Sequence, residues 1–232
     1  MAGQLFTRDI VINSNSIFYS QNYSFLIMSS LLINKLYAAT PTPLTKCGNS
    51  NIINYQVSAI RAAYPLADII VSAGRNANKV AEKLPAGVRL IENLGYDKLG
   101  EIGELRLLLN ASIHSKVVII DGRNIFDWKF INDIPRNGSY IITNDKPNKE
   151  AVCVSTTNNQ VVNIDYGLSY EFMNMVCLQN KELSFLRKFC NNVSKENLFL
   201  FEGLKHILNY KSKIYRFDVN NTTGKLIKIV QS

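Results

Sequence analysis

The chain is poor in the residues that mark specialised architectures. Its 232 residues include four cysteines, two histidines, one tryptophan, 12 glycines and six prolines. Cys47, Cys153, Cys177 and Cys190 stand far apart with no Cys-x-x-Cys pair, so neither a structural zinc site nor a small disulfide framework is signalled, and reduced, buried thiols are expected. Low glycine and proline exclude collagen-like and low-complexity classes. The most apolar stretch near the start, Phe25 to Ile33, falls well short of the ~20 residues that span a bilayer. A basic start of the kind that opens a secretory leader is missing, so a cytoplasmic product and no membrane association are expected. His114 and His206 are isolated from other ligand-type residues and read as structural or surface histidines.

What is present is an ordinary globular composition, 47% hydrophobic, 19% charged and 10% aromatic, which excludes intrinsic disorder. The length suffices for one sizeable core or two modest ones. Lys and Arg number 26 against 18 Asp and Glu, a formal charge of +8. These charges are scattered, with no block of five or six basic residues. The densest stretch, Lys205 to Lys213, mixes with apolar positions, so nucleic-acid binding is not expected.

Gln4 to Ser20 alternates apolar and polar residues around Asn13-Ser14-Asn15, the pattern of a β-hairpin, so residues 1–23 are expected to form an N-terminal hairpin and 24–232 a single α/β domain. From there the pattern predicts strands at Ser24 to Ser29, Ala67 to Ser72, Val88 to Glu92 and Lys116 to Asp121. Helices alternate with them at Asn51 to Ala63, Asn76 to Leu84 and Gly100 to Asn110. Alternation of this kind argues for a three-layer α/β/α fold on a mostly parallel central sheet. Past Trp128 an antiparallel excursion is predicted, with a strand at Ser139 to Thr143 and a hairpin turning at Asn158-Asn159. Helices at Glu182 to Cys190 and Asn197 to Leu208 and a last strand at Lys213 to Val219 follow. Phe126, Trp128, Phe130, Phe172, Phe185, Phe189, Phe199 and Phe201 follow apolar spacing and are expected in a core or an interface.

In an open parallel sheet the ligand sits at the carboxyl ends of the strands, which draws the eye to the segments after Met28, Ser72, Glu92 and Ile120. The first runs Leu26-Ile27-Met28-Ser29-Ser30-Leu31-Leu32-Ile33-Asn34-Lys35-Leu36, then Thr40-Pro41-Thr42-Pro43-Leu44 with Lys46 close by. This frame resembles the start of the sugar-phosphate and choline-phosphate nucleotidyltransferases, where a strand runs into an Ala-Ala-Gly-x-Gly-x-Arg-Leu loop and then a Pro-Lys-Pro-Leu element. Further likenesses are Ile52-Ile53-Asn54-Tyr55-Gln56, Leu90-Ile91-Glu92-Asn93 with Tyr96, Ile119-Ile120-Asp121-Gly122-Arg123-Asn124, and Phe217-Asp218-Val219. The resemblance covers about residues 24 to 228, through order and spacing more than through one sharp motif.

The family's chemistry needs amides to cradle a triphosphate, cations to neutralise it and aspartates to hold Mg²⁺. Carried over residue by residue, the resemblance implies nucleotide contacts at Ser29, Ser30 and Asn93, catalytic cations at Lys35 and Lys46, Mg²⁺ ligands at Asp121 and Asp218, and acceptor contacts at Asp165 and Tyr166. The same comparison exposes departures. The loop glycines are replaced by Leu31 and Ile33, the loop arginine by Lys35, the lysine of Pro-Lys-Pro by Thr42, and the metal-binding aspartate by Arg123. Arg123 reads either as an anion-binding cation or as part of a polar turn closing a strand, and Asp165-Tyr166-Gly167 either as an acceptor element or as a turn with a packed tyrosine.

Two functional expectations follow. One is a catalytically degenerate nucleotidyltransferase-like protein, without a cofactor, serving as a binding or assembly module for a protein partner or in a homo-oligomer. The AT-rich texture of the sequence would suit a viral or phage particle component. The other is an active Mg²⁺-dependent nucleotidyltransferase joining a nucleoside triphosphate to a sugar phosphate or choline phosphate.

Overall fold

The apolar run Tyr23–Met28 forms strand β1, buried along its whole length because it lies inside a sheet covered on both faces. The computed structural model describes residues 23–31, 40–146 and 149–228; the expected hairpin over residues 1–23, apart from Tyr23, and Lys35 lie outside them. Two short strands, β2 (Lys46–Cys47) and β3 (Ser50–Asn51), lead into helix α1 (Ile52–Ala63). Then follow β4 (Asp68–Ala73), α2 (Ala77–Ala81), β5 (Arg89–Glu92), α3 (Glu101–Ala111) and β6 (Lys116–Asp121). β1 pairs in parallel with both β4 and β6, and β4 with β5, which is the parallel β-α-β pairing the alternating pattern implies.

The second half contains β7 (Asn124–Phe126), α4 (Trp128–Asp133), β8 (Ser139–Asn144), β9 (Val152–Thr157), β10 (Gln160–Tyr166) and β11 (Tyr170–Gln179). It closes with α5 (Asn180–Cys190), α6 (Leu200–Leu208), β12 (Ile214–Asp218) and β13 (Leu226–Lys228). The β9–β10 turn holds Asn158 and Asn159 at φ 51° and 63°, the paired left-handed residues of a two-residue hairpin.

Among the described residues, nine strands form one sheet in the order β5-β4-β1-β6-β11-β8-β12-β10-β9. This sheet is mixed, and the expectation of a mostly parallel one is corrected. The pairs β5–β4, β4–β1, β1–β6 and β8–β12 are parallel, while β6–β11, β11–β8, β12–β10 and β10–β9 are antiparallel. The cause is β11, which re-enters the middle of the sheet between β6 and β8 after the hairpin has turned the chain around. It is the longest strand among the described residues, and the sequence pattern does not announce it. Its ladder with β8 shifts register between Phe172 and Val176, and Asn174 sits there at φ 51°, which breaks the period-two alternation.

Side chains alternate between two cores. Leu26, Val117 and Ile119 face one core, to which α3, α5 and α6 contribute Leu105, Leu186 and Leu204. Phe25, Ile27, Val118 and Ile120 face the other, with Val57 and Ile60 of α1 and Phe130 of α4. Cys153, Cys177 and Cys190 are buried, as expected, whereas Cys47 is only partly buried; burial pushes the Cys177 and Cys190 thiols up to about 12, far from thiolate reactivity. Among the described residues, no helix is long and apolar enough to cross a membrane.

Candidate functional site

A cleft of about 580 Å³ opens at the carboxyl ends of β1 and β6, where the sheet topology places a ligand. Met28, Ser29, Leu31 and Thr42 line it from one side, Tyr96 to Glu101 and Glu104 from a second, and Asp121, Arg123 and Asn174 from a third. The turn after β6 lies directly on the segment after β1. Gly122 donates its N–H to Met28 O at 2.7 Å, and a Cβ at Gly122 would stand 2.6 Å from Ser29 Cβ, so only glycine fits this close approach.

The strand-end amides that follow β1 are engaged inside the protein. Ser29 N–H donates to Ser72 Oγ at 2.9 Å, and Ser30 N–H donates to Glu104 Oε1 at 2.8 Å. The Ser72 hydroxyl donates to the same carboxylate oxygen. Glu104 projects from the first turn of α3, is 1% exposed, and has its pKa raised by burial against the opposing pull of these hydrogen bonds. Asn93, fully buried, donates from Nδ2 to Ser30 Oγ at 2.8 Å and accepts the Gly95 N–H at 3.0 Å. Of the three residues given nucleotide contacts above, Ser30 and Asn93 thus bond to each other, and the amides of Ser29 and Ser30 have Ser72 and Glu104 as partners.

At the end of β6, Arg123 forks back onto Asp121. Its backbone N–H and Nε each donate to Asp121 Oδ1 at 2.9 Å, and Nη2 donates to Oδ2, which also accepts Asn174 Nδ2 at 3.2 Å. The left-handed backbone at Asn174 aims that amide, so the bulge in β11 is part of the site. Gln56 of α1 supports the turn from below, donating to Gly122 O at 3.2 Å and to Asn124 O at 2.8 Å.

Asp218 lies on β12, with β11 and β8 between it and β6 in the sheet, and it does not line the cleft. Its Oδ1 caps the turn that follows, accepting Asn220 N–H at 2.9 Å, and its Oδ2 accepts from Arg216. Arg216 also bonds Asp145, donates from Nε to Thr143 Oγ1 at 2.9 Å and lies 3.7 Å from the Tyr170 ring centre. Asp165 pairs with Lys205 at 2.5 Å on an exposed surface, and Tyr166 packs edge-on against Phe201. Neither Asp165 nor Tyr166 lines the cleft. Lys46 borders a separate shallow depression with Gly48 and Asn49, whereas Thr42 does reach the cleft wall.

The helix ends at the cleft are capped by one another. Gly100, Ile102 and Gly103 N–H groups donate to the carbonyls of Glu196 and Leu198, while Glu101 Oε2 accepts Leu200 N–H at 2.8 Å at the start of α6. Burial raises the Glu101 pKa, with Asp121 and Glu104 adding to the rise. Of the charged side chains lining the cleft among the described residues, Asp97, Glu101, Glu104 and Asp121 are acidic and Lys98 and Arg123 are basic. On a chain of formal charge +8 this cleft is locally acidic.

No protein-family model and no curated protein matches the sequence. Solved structures do. A CTP:phosphocholine cytidylyltransferase from Streptococcus pneumoniae superposes with a TM-score of 0.72 at 18% identity, covering 90% of this chain and 93% of the other. An inositol-1-phosphate CTP transferase from T. maritima gives 0.69 at 13% identity, covering 90% and 89%. A nucleoside-diphosphate-sugar pyrophosphorylase from Vibrio cholerae RC9 gives 0.66 at 10% identity, covering 84% and 91%. The chain has the nucleotidyltransferase fold.

Within the nucleotidyltransferase fold, Mg²⁺ is the implied metal, and the residues at the two expected positions do not fit it. Both Asp121 oxygens are taken by Arg123 and Asn174, and the Arg123 guanidinium places a cation where Mg²⁺ would need an anionic ligand. Both Asp218 oxygens are likewise engaged, and among the described residues no group of three or more His, Cys, Asp or Glu side chains could hold a metal ion. The site residues that sequence reading missed are Glu104, Ser72, Glu101 and Asn174. A carboxylate at the third or fourth position of an apolar helix reads as a solvated face; only the packing of α3 under the β1 segment shows otherwise.

Proposed function

We propose that this protein is a catalytically silent member of the nucleotidyltransferase fold that serves as a binding module for a protein partner. The observation that carries this reading is the engagement of Asp121 by its neighbour Arg123, which leaves an internal ion pair where the fold's chemistry needs a metal-binding carboxylate. The tied-off amides of Ser29 and Ser30 and the acidic balance of the cleft support it, since a triphosphate needs free donors and positive charge.

The test is a thermal-shift series with each ribonucleoside triphosphate, with and without Mg²⁺, alongside a pyrophosphate-release assay with sugar phosphates and choline phosphate. A ligand at ~100 times its dissociation constant would add about 2.7 kcal/mol, several degrees for this length. The wild-type chain is expected to show neither shift nor release. The R123D variant, which exchanges the internal cation for a second carboxylate, is expected to gain a Mg²⁺-dependent shift. A base-selective, Mg²⁺-dependent shift with release in the wild-type chain would instead establish the second reading, an active nucleotidyltransferase, which the superposition on enzymes along about 90% of the chain favours.

A further inference from the structure

A strip of aromatic rings leads away from the lip of the acidic cleft. Phe199, 54% exposed, lines the cleft itself; Phe201 stacks on it with ring centres 6.0 Å apart, and Tyr166, 55% exposed, meets Phe201 edge-on at 5.7 Å. Phe201 lies in the first turn of α6, Phe199 caps that helix and Tyr166 ends β10, so the strip is anchored at a helix start and a strand end. Half-exposed aromatics in ring-to-ring contact are unusual on a surface and are the side chains that anchor interfaces. Two ring steps of this size are spanned by about four extended residues at ~3.3 Å each.

The cleft at the head of the strip carries the opposite kind of chemistry. Beside the Asp121–Arg123 ion pair, the described residues lining the cleft bring three further carboxylates, Asp97 and the buried Glu101 and Glu104, and one further cation, Lys98. Glu101 accepts the Leu200 N–H at 2.8 Å, and burial raises its pKa against the opposing pull of that hydrogen bond and of Arg123. An incoming guanidinium or ammonium group would supply the missing charge.

We infer that the cleft and the aromatic strip form one docking surface for an extended peptide segment of a partner protein, its apolar residues on Tyr166, Phe201 and Phe199 and a following arginine or lysine in the cleft. Charge complementarity and the continuity of the strip with the cleft through Phe199 select this occupant. The inference rests on the reading above, in which the cleft is not a Mg²⁺-triphosphate site.

The test is fluorescence anisotropy of the full chain with a labelled peptide of sequence Trp-Leu-Tyr-Leu-Arg-Gly, its counterpart with citrulline in place of arginine, and arginine amide as competitor. Saturable binding is expected, weakened at least about tenfold by citrulline, which keeps the shape and removes the charge. F199A and D97N, both at exposed positions, are each expected to weaken binding about fivefold, and Y166A less. No saturable binding, equal binding of the citrulline peptide, or indifference to F199A and Y166A would overturn the inference. So would arginine amide competing as tightly as the peptide, which would reduce the site to a small-cation pocket. Adding each triphosphate with Mg²⁺ separates the two claims: displacement of bound peptide by a triphosphate refutes the metal-free reading of the cleft while leaving the docking surface standing, whereas failure of peptide binding with no triphosphate effect does the reverse.

Discussion

Two aspartates at the carboxyl edge of the same sheet, Asp121 on β6 and Asp218 on β12, are each joined to an arginine two residues away, yet the two pairs do different work. Arg123 follows its aspartate and folds back along a turn; its pair is partly accessible and forms a wall of the cleft. Arg216 precedes its aspartate within a strand, and its side chain is gripped from several directions by Asp218, Asp145, Thr143 and the Tyr170 ring. Asp218 is only 6% exposed and caps the turn that ends β12. The first pair occupies a site, and the second fastens β12 to β8 and β11. Side chains of one type in one spacing thus take opposite roles according to how much of the surrounding shell is protein.

The largest expected effect comes from breaking the fastened pair. R216A leaves Asp218 buried beside Asp145 without a cation and is expected to cost about 3 kcal/mol in urea unfolding. R123A is expected to cost about 1 kcal/mol, because Asp121 keeps the Asn174 amide and some solvent. Equal losses in the two variants would erase the distinction drawn between them.

A third variant sharpens the account of the cleft floor. Burial raises the Glu104 pKa above its unfolded value of about 4.3, so its contribution to stability is fully present below that pH and is lost as pH rises through the raised folded value. E104Q mimics the protonated form and removes this dependence. The melting temperature of wild type relative to E104Q is therefore expected to fall as pH is raised from about 4 to about 8. A difference that stays constant with pH would show that Glu104 is not the group responsible. The smallest effect is expected for K205A, whose partner Asp165 is exposed: no measurable change in the unfolding midpoint.

The parallel half of the fold was legible because β1, β4 and β6 are short apolar runs separated by helical spacing, and their observed bounds fall within a residue or two of the expected ones. The Asn158-Asn159 turn was legible because few residue pairs accept two left-handed conformations. β11 was not, since a strand buried on both faces and interrupted at Asn174 carries neither alternation nor a clean boundary. At the site, the strand-end places of Ser29, Ser30, Asn93, Asp121 and Arg123 were legible. Their partners were not. Glu104 lies 74 residues from Ser30 in the chain and Asn174 lies 53 from Asp121, and nothing local at either residue signals the contact.

By itself the sequence determined the class of the fold, since apolar periodicity and turn chemistry act over a few residues and survive without knowledge of what they pack against. Only the tertiary structure decided that the sheet is mixed, that each expected metal-binding aspartate is neutralised from within, and that the amides after β1 are already bonded. Each of these depends on groups far apart in sequence meeting in a buried place, where burial makes an unpaired charge or amide costly and so fixes which partner it must find.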